Sequence, residues 1–186
     1  MRFFVAVTPG AELREELARW CAAARARCSG DGRWTRPEKL HLTLRFMGEV
    51  APERVPQISD AIARAVAASA AFEIAIGAPG SFRLRDGASV LWLGIRDEAG
   101  ALGALRARLD TELANLGYAR DSQEFKPHLT VARFAPGERS PAIAELPASP
   151  AAGWPARELE LYESVTRPEG AEYRLVQKFA FADSSL

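Results

Sequence analysis

Hydrophobic positions along the chain recur with two spacings, one typical of helices and one typical of strands. The first helical face is formed by Leu13, Leu17, Trp20 and Ala24. The segments with helical spacing are 11–28, 53–69 and 98–116. The segments predicted as strands are 2–8, 40–50, 72–77, 81–85, 90–95, 126–134, 157–165 and 171–181. Because these elements do not alternate strictly along the chain, the pattern favours an α+β fold over a doubly wound sheet.

Glycine and proline residues mark the boundaries of these elements. Asp86-Gly87 predicts a hairpin turn between two strands, and Gly117 ends the third helix. A basic stretch over Arg33–Lys39 is predicted to be a loop that leads into the second strand. The proline-rich segment Ala135–Pro155 shows no periodicity and is predicted to be a surface loop.

Length and charge limit the class of protein. The chain has 186 residues, which is enough for a single two-lobed domain over residues 1–186. It carries 24 basic and 24 acidic residues, so any contact with RNA must be local. Basic residues outnumber acidic ones locally over Arg25–Arg54, which could contact RNA phosphates. We expect a soluble, cytoplasmic protein because no apolar run is long enough to cross a membrane, and the sequence indicates no obligate protein partner.

The two histidines of the chain open the same short pattern. His41 begins His-Leu-Thr-Leu-Arg-Phe and His128 begins His-Leu-Thr-Val-Ala-Arg-Phe. The probability that both histidines precede Leu-Thr by chance is on the order of one in 10⁵. The repetition therefore indicates an internal duplication with a function for both copies.

In a strand, a histidine and the threonine two residues later point to the same face. Two such strands side by side would bring His41, Thr43, His128 and Thr130 to one cleft. Because histidine titrates near pH 6.5, one imidazole can remove a proton while the other gives one. The threonine hydroxyls can donate to phosphate oxygens. The pattern predicts phosphoester chemistry, although a single buried histidine is more often structural.

The motifs and their surroundings resemble the two-histidine phosphoesterase superfamily, and within it the bacterial and archaeal RNA 2′,3′-cyclic phosphodiesterases, also called 2′-5′ RNA ligases. The resemblance covers nearly the whole chain. It rests on the opening strand, both motifs with their lead-in residues, and a closing segment from Leu161 to Tyr173. Ala171-Glu172 stands where the family commonly has a single proline before the tyrosine.

This resemblance implies two pseudo-symmetric lobes with antiparallel sheets flanking a central cleft, and no metal or organic cofactor. It implies that an RNA 2′,3′-cyclic phosphate is opened to a 2′-phosphomonoester, and that tRNA fragments can be joined weakly and reversibly through a 2′-5′ bond. His41 would then be the proton donor to the leaving 3′-oxygen and His128 the proton acceptor. Thr43 and Thr130 would bind the phosphate.

Three basic residues are further candidates. Arg133 lies at an odd offset from His128, so only a bulge or the end of the strand would bring it to the cleft, although the family often has an arginine near the phosphate at this place. Arg45 shares the face of His41 by alternation, and Lys126 precedes the second motif. For each of the three, the alternative to a contact with substrate is an exposed surface charge without a function.

Aromatic residues near the motifs are candidates for stacking on a base. Phe46 follows the first motif and Trp34 lies in the basic loop. Core packing is the alternative, particularly for phenylalanine.

Other substrates fit the same histidine pair. These are 2′-5′-linked oligonucleotides, small cyclic nucleotides and ADP-ribose cyclic phosphate. A non-catalytic module that binds RNA ends is an alternative from a different functional class.

Overall fold

A computed structural model describes residues 1–120, 124–167 and 170–182. Its three α-helices are α1 (Ala11–Ala26), α2 (Val55–Ala67) and α3 (Ala101–Ala114). Its nine strands are β1 (Arg2–Val7), β2 (Arg33–Trp34), β3 (Leu42–Glu49), β4 (Phe72–Arg83), β5 (Ser89–Arg96), β6 (His128–Phe134), β7 (Gly153–Ala156), β8 (Glu158–Arg167) and β9 (Gly170–Ala180).

The strands form one antiparallel sheet in the order β7-β4-β5-β6-β3-β1-β8-β9, and β2 pairs with β6. The sheet consists of two four-stranded halves that join between β3 and β6, where Leu42 is paired with Leu129. We call β3-β1-β8-β9 the His41 half and β7-β4-β5-β6 the His128 half. Each half places its histidine strand innermost, so the two motifs lie side by side at the centre.

The two halves have corresponding connections. β1 is followed by α1 and then by β3, and β5 is followed by α3 and then by β6. In both cases the two strands are antiparallel neighbours. This correspondence confirms the predicted pseudo-symmetric α+β architecture.

A single hydrophobic cluster lies between the sheet and the helices. The predicted face of α1 is confirmed, since Leu13, Leu17, Trp20 and Ala24 are all buried. α2 packs against α3 and also contacts β9. The apolar residues of the two motifs point into this cluster, which leaves their polar residues on the opposite face of the sheet.

The turn predicted at Asp86-Gly87 is confirmed. Gly87 has φ +88°, a conformation that glycine adopts readily, and the carboxylate of Asp86 accepts a hydrogen bond from the N–H of Ala88 at 3.0 Å. The turn joins β4 and β5, which pair along their length.

Three strand predictions were wrong. Segments 72–77 and 81–85 are one strand, β4, which crosses a register shift between Ile76 and Pro79. The irregularity accommodates a proline, which has no N–H to donate to a ladder. The predicted loop 135–155 contains β7, which extends the edge of the sheet beside β4. The predicted basic loop contains β2. β2 has only two residues, too few to show a period of two, and the glycine and proline of β7 are residue types that are rare inside strands.

The closing strands are confirmed as β8 and β9, and Pro168 and Glu169 of the closing segment lie outside the described residues. In the described ranges, no helix combines the length and the apolar character that a membrane span requires.

Candidate active site

The two histidines are held in the same way at the centre of the sheet. The Nδ1 atom of His41 lies 2.7 Å from the carbonyl oxygen of Lys39, and that of His128 lies 2.6 Å from the carbonyl oxygen of Lys126. Because a carbonyl oxygen can only accept, Nδ1 carries the proton in both rings. Nε2 is therefore the atom of each imidazole that is left to exchange a proton.

The register between the motif strands relates each histidine to the other motif's threonine. Leu42 is paired with Leu129. In an antiparallel register this sets Thr43 opposite His128 and His41 opposite Thr130. Directly opposed residues have Cβ atoms about 4.5–5.5 Å apart. The four side chains thus form one polar group on the face of the sheet away from the helices.

Both threonine hydroxyls are available for a ligand. Thr43 and Thr130 are half-buried. Within the described ranges, neither hydroxyl makes a hydrogen bond to another group of the protein. A phosphate between the rings would give these donors an acceptor.

A β-bulge brings Arg133 to this face. Trp92 of β5 is paired with Thr130 and Leu91 with Ala132, so Val131 is the extra residue of the bulge. Val131 and Ala132 both point into the core, and Arg133 returns to the face of His128. The odd offset between His128 and Arg133 is thereby overcome.

The electrostatic surroundings lower the pKa of both histidines. Burial has the largest effect in each case, and it is partly opposed by the hydrogen bond from Nδ1 to the lysine carbonyl. The positive charge of Arg133 lowers the pKa of both rings further. The charge of His128 also lowers the pKa of His41, and a bound anion would counter the effect of these charges.

One buried carboxylate distinguishes His41 from His128. Glu160 of β8 is only 3% exposed, and its negative charge raises the pKa of His41 against the effect of burial. It accepts a hydrogen bond from the hydroxyl of Tyr162 at 2.8 Å and forms an ion pair with Nζ of Lys178 at 3.1 Å. Burial and the hydrogen bond to Glu160 raise the pKa of Tyr162, which stays a neutral donor.

Sequence reasoning missed Glu160 because it lies far from both motifs along the chain. A signal was present, since Glu158, Glu160 and Tyr162 alternate with buried aliphatic residues in β8. This alternation indicates a polar row on the cleft face of a mostly buried strand.

Aromatic rings surround each histidine. His41 lies 4.9 Å from the ring of Phe4 and 5.0 Å from that of Tyr173, measured between centroids. His128 lies 5.1 Å from Phe82 and 6.0 Å from Trp92. These rings fix the orientation of the imidazoles and keep bulk water from their flanks. None of these four rings was predicted to contact a histidine.

Gly80 is required beside one of these rings. A Cβ atom at this position would lie 2.2 Å from the indole of Trp92. The indole therefore lies directly across β4 at a point where any other residue would displace it. Since Trp92 contacts His128, the glycine contributes to the position of that imidazole.

The prediction that Arg45 faces the cleft was wrong. Arg45 is paired with Val5 and Thr43 with Ala6, so Leu44 is the extra residue of a second bulge. This bulge turns Arg45 towards the helices, where it is 6% exposed and its Nε lies 3.4 Å from Asp110 of α3. Simple alternation failed because it assumes a strand without bulges.

Trp34 also lies on the other face. It is paired with Ala132 of β6, which points into the core, and its ring lies 6.5 Å from that of Phe134. The prediction that Trp34 stacks on a base was wrong because β2 was not recognised as a strand. Lys126 provides its carbonyl to His128, and its ammonium group pairs at 3.6 Å with the exposed Glu124.

Phe46 lies on the cleft face at the position that corresponds to Arg133. Each follows its histidine by five residues and comes directly after a bulge. Phe46 is 65% exposed, and its ring is 5.6 Å from that of Phe4. It is therefore an accessible aromatic surface at the rim of the cleft.

Across residues 1–120, 124–167 and 170–182, no three side chains among His, Cys, Asp and Glu are arranged to share a metal ion.

Comparison with known proteins places this site in a family context. The family model described as the 2′-5′ RNA ligase superfamily matches residues 9–167. An RNA 2′,3′-cyclic phosphodiesterase of Archaeoglobus fulgidus is 31% identical over 183 residues, which cover 96% of this chain and 99% of that protein. A protein of the same name from Geobacillus stearothermophilus is 32% identical over 150 residues. That match covers 79% of this chain and 47% of the relative, so the chain spans about half of that protein's length.

The fold is also found among solved structures. The crystal structure of Escherichia coli LigT complexed with 3′-AMP aligns with a TM-score of 0.78 and 26% identity over 97% of each chain.

Proposed function

The chain belongs to the 2′-5′ RNA ligase superfamily, and from that premise we propose that it hydrolyses the terminal 2′,3′-cyclic phosphate of RNA to a 2′-phosphomonoester. One observation carries the proposal. The pairing of the motif strands at Leu42 and Leu129 supports it, because both imidazoles and both threonine hydroxyls then share one face, and no group in the described ranges bonds to either hydroxyl or either Nε2. The relatives named RNA 2′,3′-cyclic phosphodiesterase support the choice of substrate.

In the proposed reaction, a water molecule attacks phosphorus opposite the 3′-oxygen. Nε2 of His128 accepts a proton from this water as the new phosphorus–oxygen bond forms. The bond from phosphorus to the 3′-oxygen breaks, and Nε2 of His41 donates a proton to that oxygen. The products are a 3′-hydroxyl and a 2′-phosphate. Proton exchange with solvent then returns both imidazoles to their starting states.

The assignment of acid and base follows from the asymmetry around the rings. Burial lowers the pKa of both histidines, so the bound phosphate anion is needed to favour a protonated ring. Glu160 raises the pKa of His41, whereas the described residues that shift the pKa of His128 include no carboxylate. We assign the acid role to His41 because Glu160 favours its protonated ring, and a bound phosphate would offset the lowering of its pKa by burial, Arg133 and His128.

The remaining polar groups bind the phosphate. Thr43 and Thr130 donate from opposite motifs to the non-bridging oxygens. Arg133 stabilises the negative charge that these oxygens carry as the reaction proceeds. Phe46 offers its exposed ring to the terminal base. These contacts position the phosphorus between the two Nε2 atoms.

The reaction as proposed needs no metal ion, since the imidazoles move the protons and Arg133 with the hydroxyls stabilises the charge. The same groups can support ligation. If the 5′-hydroxyl of a second RNA replaces water, attack on the cyclic phosphate forms a 2′-5′ phosphodiester and releases the 3′-oxygen.

The proposal is tested with a short RNA that ends in a 2′,3′-cyclic phosphate, incubated with the protein in EDTA. We expect turnover and a product with its phosphate on the 2′-oxygen. A 3′-phosphate product would contradict the assigned leaving oxygen. Loss of turnover in EDTA that returns with a divalent ion would contradict the metal-free reaction.

A further inference from the structure

Arg33 is an exposed arginine placed directly opposite Arg133. The two are a registered pair of the antiparallel strands β2 and β6, so their side chains leave the sheet on the same face. Both are exposed. Opposed residues have Cβ atoms about 4.5–5.5 Å apart, and like charges at this distance destabilise a sheet. A bound anion would remove this repulsion.

The described part of the chain provides no such anion. Neither Arg33 nor Arg133 makes an ion pair or a side-chain hydrogen bond with a residue in the described ranges. Other exposed arginines are paired, as Arg167 is with Glu172 at 3.1 Å and Arg174 with Glu163 at 3.4 Å. The two opposed guanidinium groups are therefore available for a ligand.

The two side chains reach different places. Arg133 lies on the cleft face with His41 and His128, and its charge lowers the pKa of both. Arg33 extends towards the β8–β9 hairpin, where its Nη1 lies 3.4 Å from the position that a Cβ on Gly170 would occupy. Arg33 thus points away from the two histidines and towards Gly170 in the β8–β9 hairpin.

We propose that Arg33 binds the phosphodiester group immediately 5′ of the terminal nucleotide, while Arg133 binds the cyclic phosphate. This inference rests on the proposed function. It makes the protein selective for the end of an RNA chain over a nucleoside 2′,3′-cyclic phosphate, which has no second phosphate. Two bound phosphates would give each of the opposed arginines an anion.

Three substrates separate this role from a second contact with the cyclic phosphate. They are adenosine 2′,3′-cyclic phosphate, the same compound with a 5′-phosphate, and the dinucleotide ApA with a terminal 2′,3′-cyclic phosphate. We expect the protein to prefer the second and third over the first in kcat/KM. The substitution Arg33→Ala should lower kcat/KM for these two by about tenfold to a hundredfold, in line with loss of one charged hydrogen bond, and leave the first unchanged.

Arg36→Ala is the matched control, since Arg36 is an exposed arginine three residues further along the same segment. It should change none of the three values. For the dinucleotide, the dependence of log kcat/KM on log salt concentration should become shallower by about one unit in Arg33→Ala and not in Arg36→Ala. An equal loss on all three substrates, or a loss on none, would overturn the proposal.

Binding measured by calorimetry keeps this inference separate from the proposed function. The probes are adenosine 2′-monophosphate and ApA with a terminal 2′-phosphate. If the wild-type protein turns over no substrate but Arg33→Ala still weakens binding of the dinucleotide alone, the proposed function fails and the phosphodiester site stands. If turnover occurs and Arg33→Ala weakens binding of both probes equally, the phosphodiester site fails.

Discussion

The two motif strands, β3 and β6, have the same backbone conformation and differ in the side chains that they place beside the histidines. In each, the histidine donates from Nδ1 to the carbonyl oxygen two residues before it, and the residue after the threonine is the extra residue of a bulge. Arg45 and Ala132 both turn into the core after their bulges, and Phe46 and Arg133 both return to the cleft. The strands therefore correspond residue by residue, without the gap that the printed sequences suggest.

The two strands differ in the residues next to their histidines, and the proposed roles of acid and base rest on this difference. A cation replaces an aromatic ring on the side of His128, and the buried carboxylate of Glu160 lies on the side of His41. The common backbone explains why both imidazoles can transfer protons at Nε2. In the proposed mechanism, the unlike neighbours decide which imidazole holds a proton when the phosphate binds.

The largest expected effect is the loss of either histidine. His41→Ala and His128→Ala should each lower kcat on the RNA cyclic phosphate by about 10²–10⁴-fold, because one proton transfer is lost in each case. Single-turnover rates measure the effect without a contribution from product release. If neither substitution slows hydrolysis, the paired acid–base mechanism is wrong.

Alanine substitutions at the corresponding positions Arg133 and Phe46 should affect the kinetics less than loss of a histidine, and in different ways. Arg133→Ala should lower kcat/KM by about tenfold to a hundredfold through loss of a charged hydrogen bond. Since Arg133 lowers the pKa of both histidines, its removal should also move both limbs of the pH–rate profile to higher pH. Phe46→Ala is the control and should mainly raise KM, with no shift of the profile. A shifted profile in Phe46→Ala alone would contradict the comparison.

Removal of the carboxylate should affect only one of the two histidines. Glu160 raises the pKa of His41, so Glu160→Gln should lower it, and less of the acid form should remain as pH rises. The alkaline limb of the pH–rate profile should move to lower pH, with a few-fold loss of rate above neutrality, and the acid limb should stay in place. Glu163→Gln is the control because Glu163 is a buried carboxylate of the same strand, paired with Arg174. A shift of both limbs in Glu160→Gln would contradict a role specific to His41.

Arg45 should affect folding and leave the chemistry unchanged. Its ion pair with Asp110 joins β3 to α3, and Arg106 also binds Asp110 at 3.0 Å. Arg45→Ala should lower the unfolding free energy by about 2 kcal/mol, somewhat less than for a lone buried pair, and Tm by roughly 4–8 °C. Arg64→Ala, which breaks an exposed pair with Glu112, should change Tm little. A reduced kcat/KM in Arg45→Ala at an unchanged Tm would contradict this prediction and indicate that Arg45 acts in the site.

The sequence was sufficient where a residue's role depends on local pattern. His41, Thr43, His128 and Thr130 follow from the repeat, because a period of two determines which residues share a face. The helix faces follow from a period of 3.6 for the same reason. Arg133 required knowledge of a bulge, and the resemblance to a family indicated it where strand geometry alone did not.

The errors concern features that depend on partner strands. The bulge at Leu44 is defined by the register with β1, so alternation along β3 could not show that Arg45 turns inward. Trp34 lies in a two-residue strand whose orientation comes from β6. Glu160 lies near His41 because β8 and β3 both flank β1 in the sheet. The periodicity of a single strand does not show this order.

The most direct test of the acid and base assignment is a substrate in which sulfur replaces the bridging 3′-oxygen of the cyclic phosphate. A thiol has a pKa near 8.5, so a thiolate leaves without a proton donor. His41→Ala should then hydrolyse the sulfur substrate at nearly the wild-type rate, although it is strongly impaired on the oxygen substrate, and His128→Ala should be impaired on both. Recovery of His128→Ala in place of His41→Ala, or of neither variant, would contradict the account.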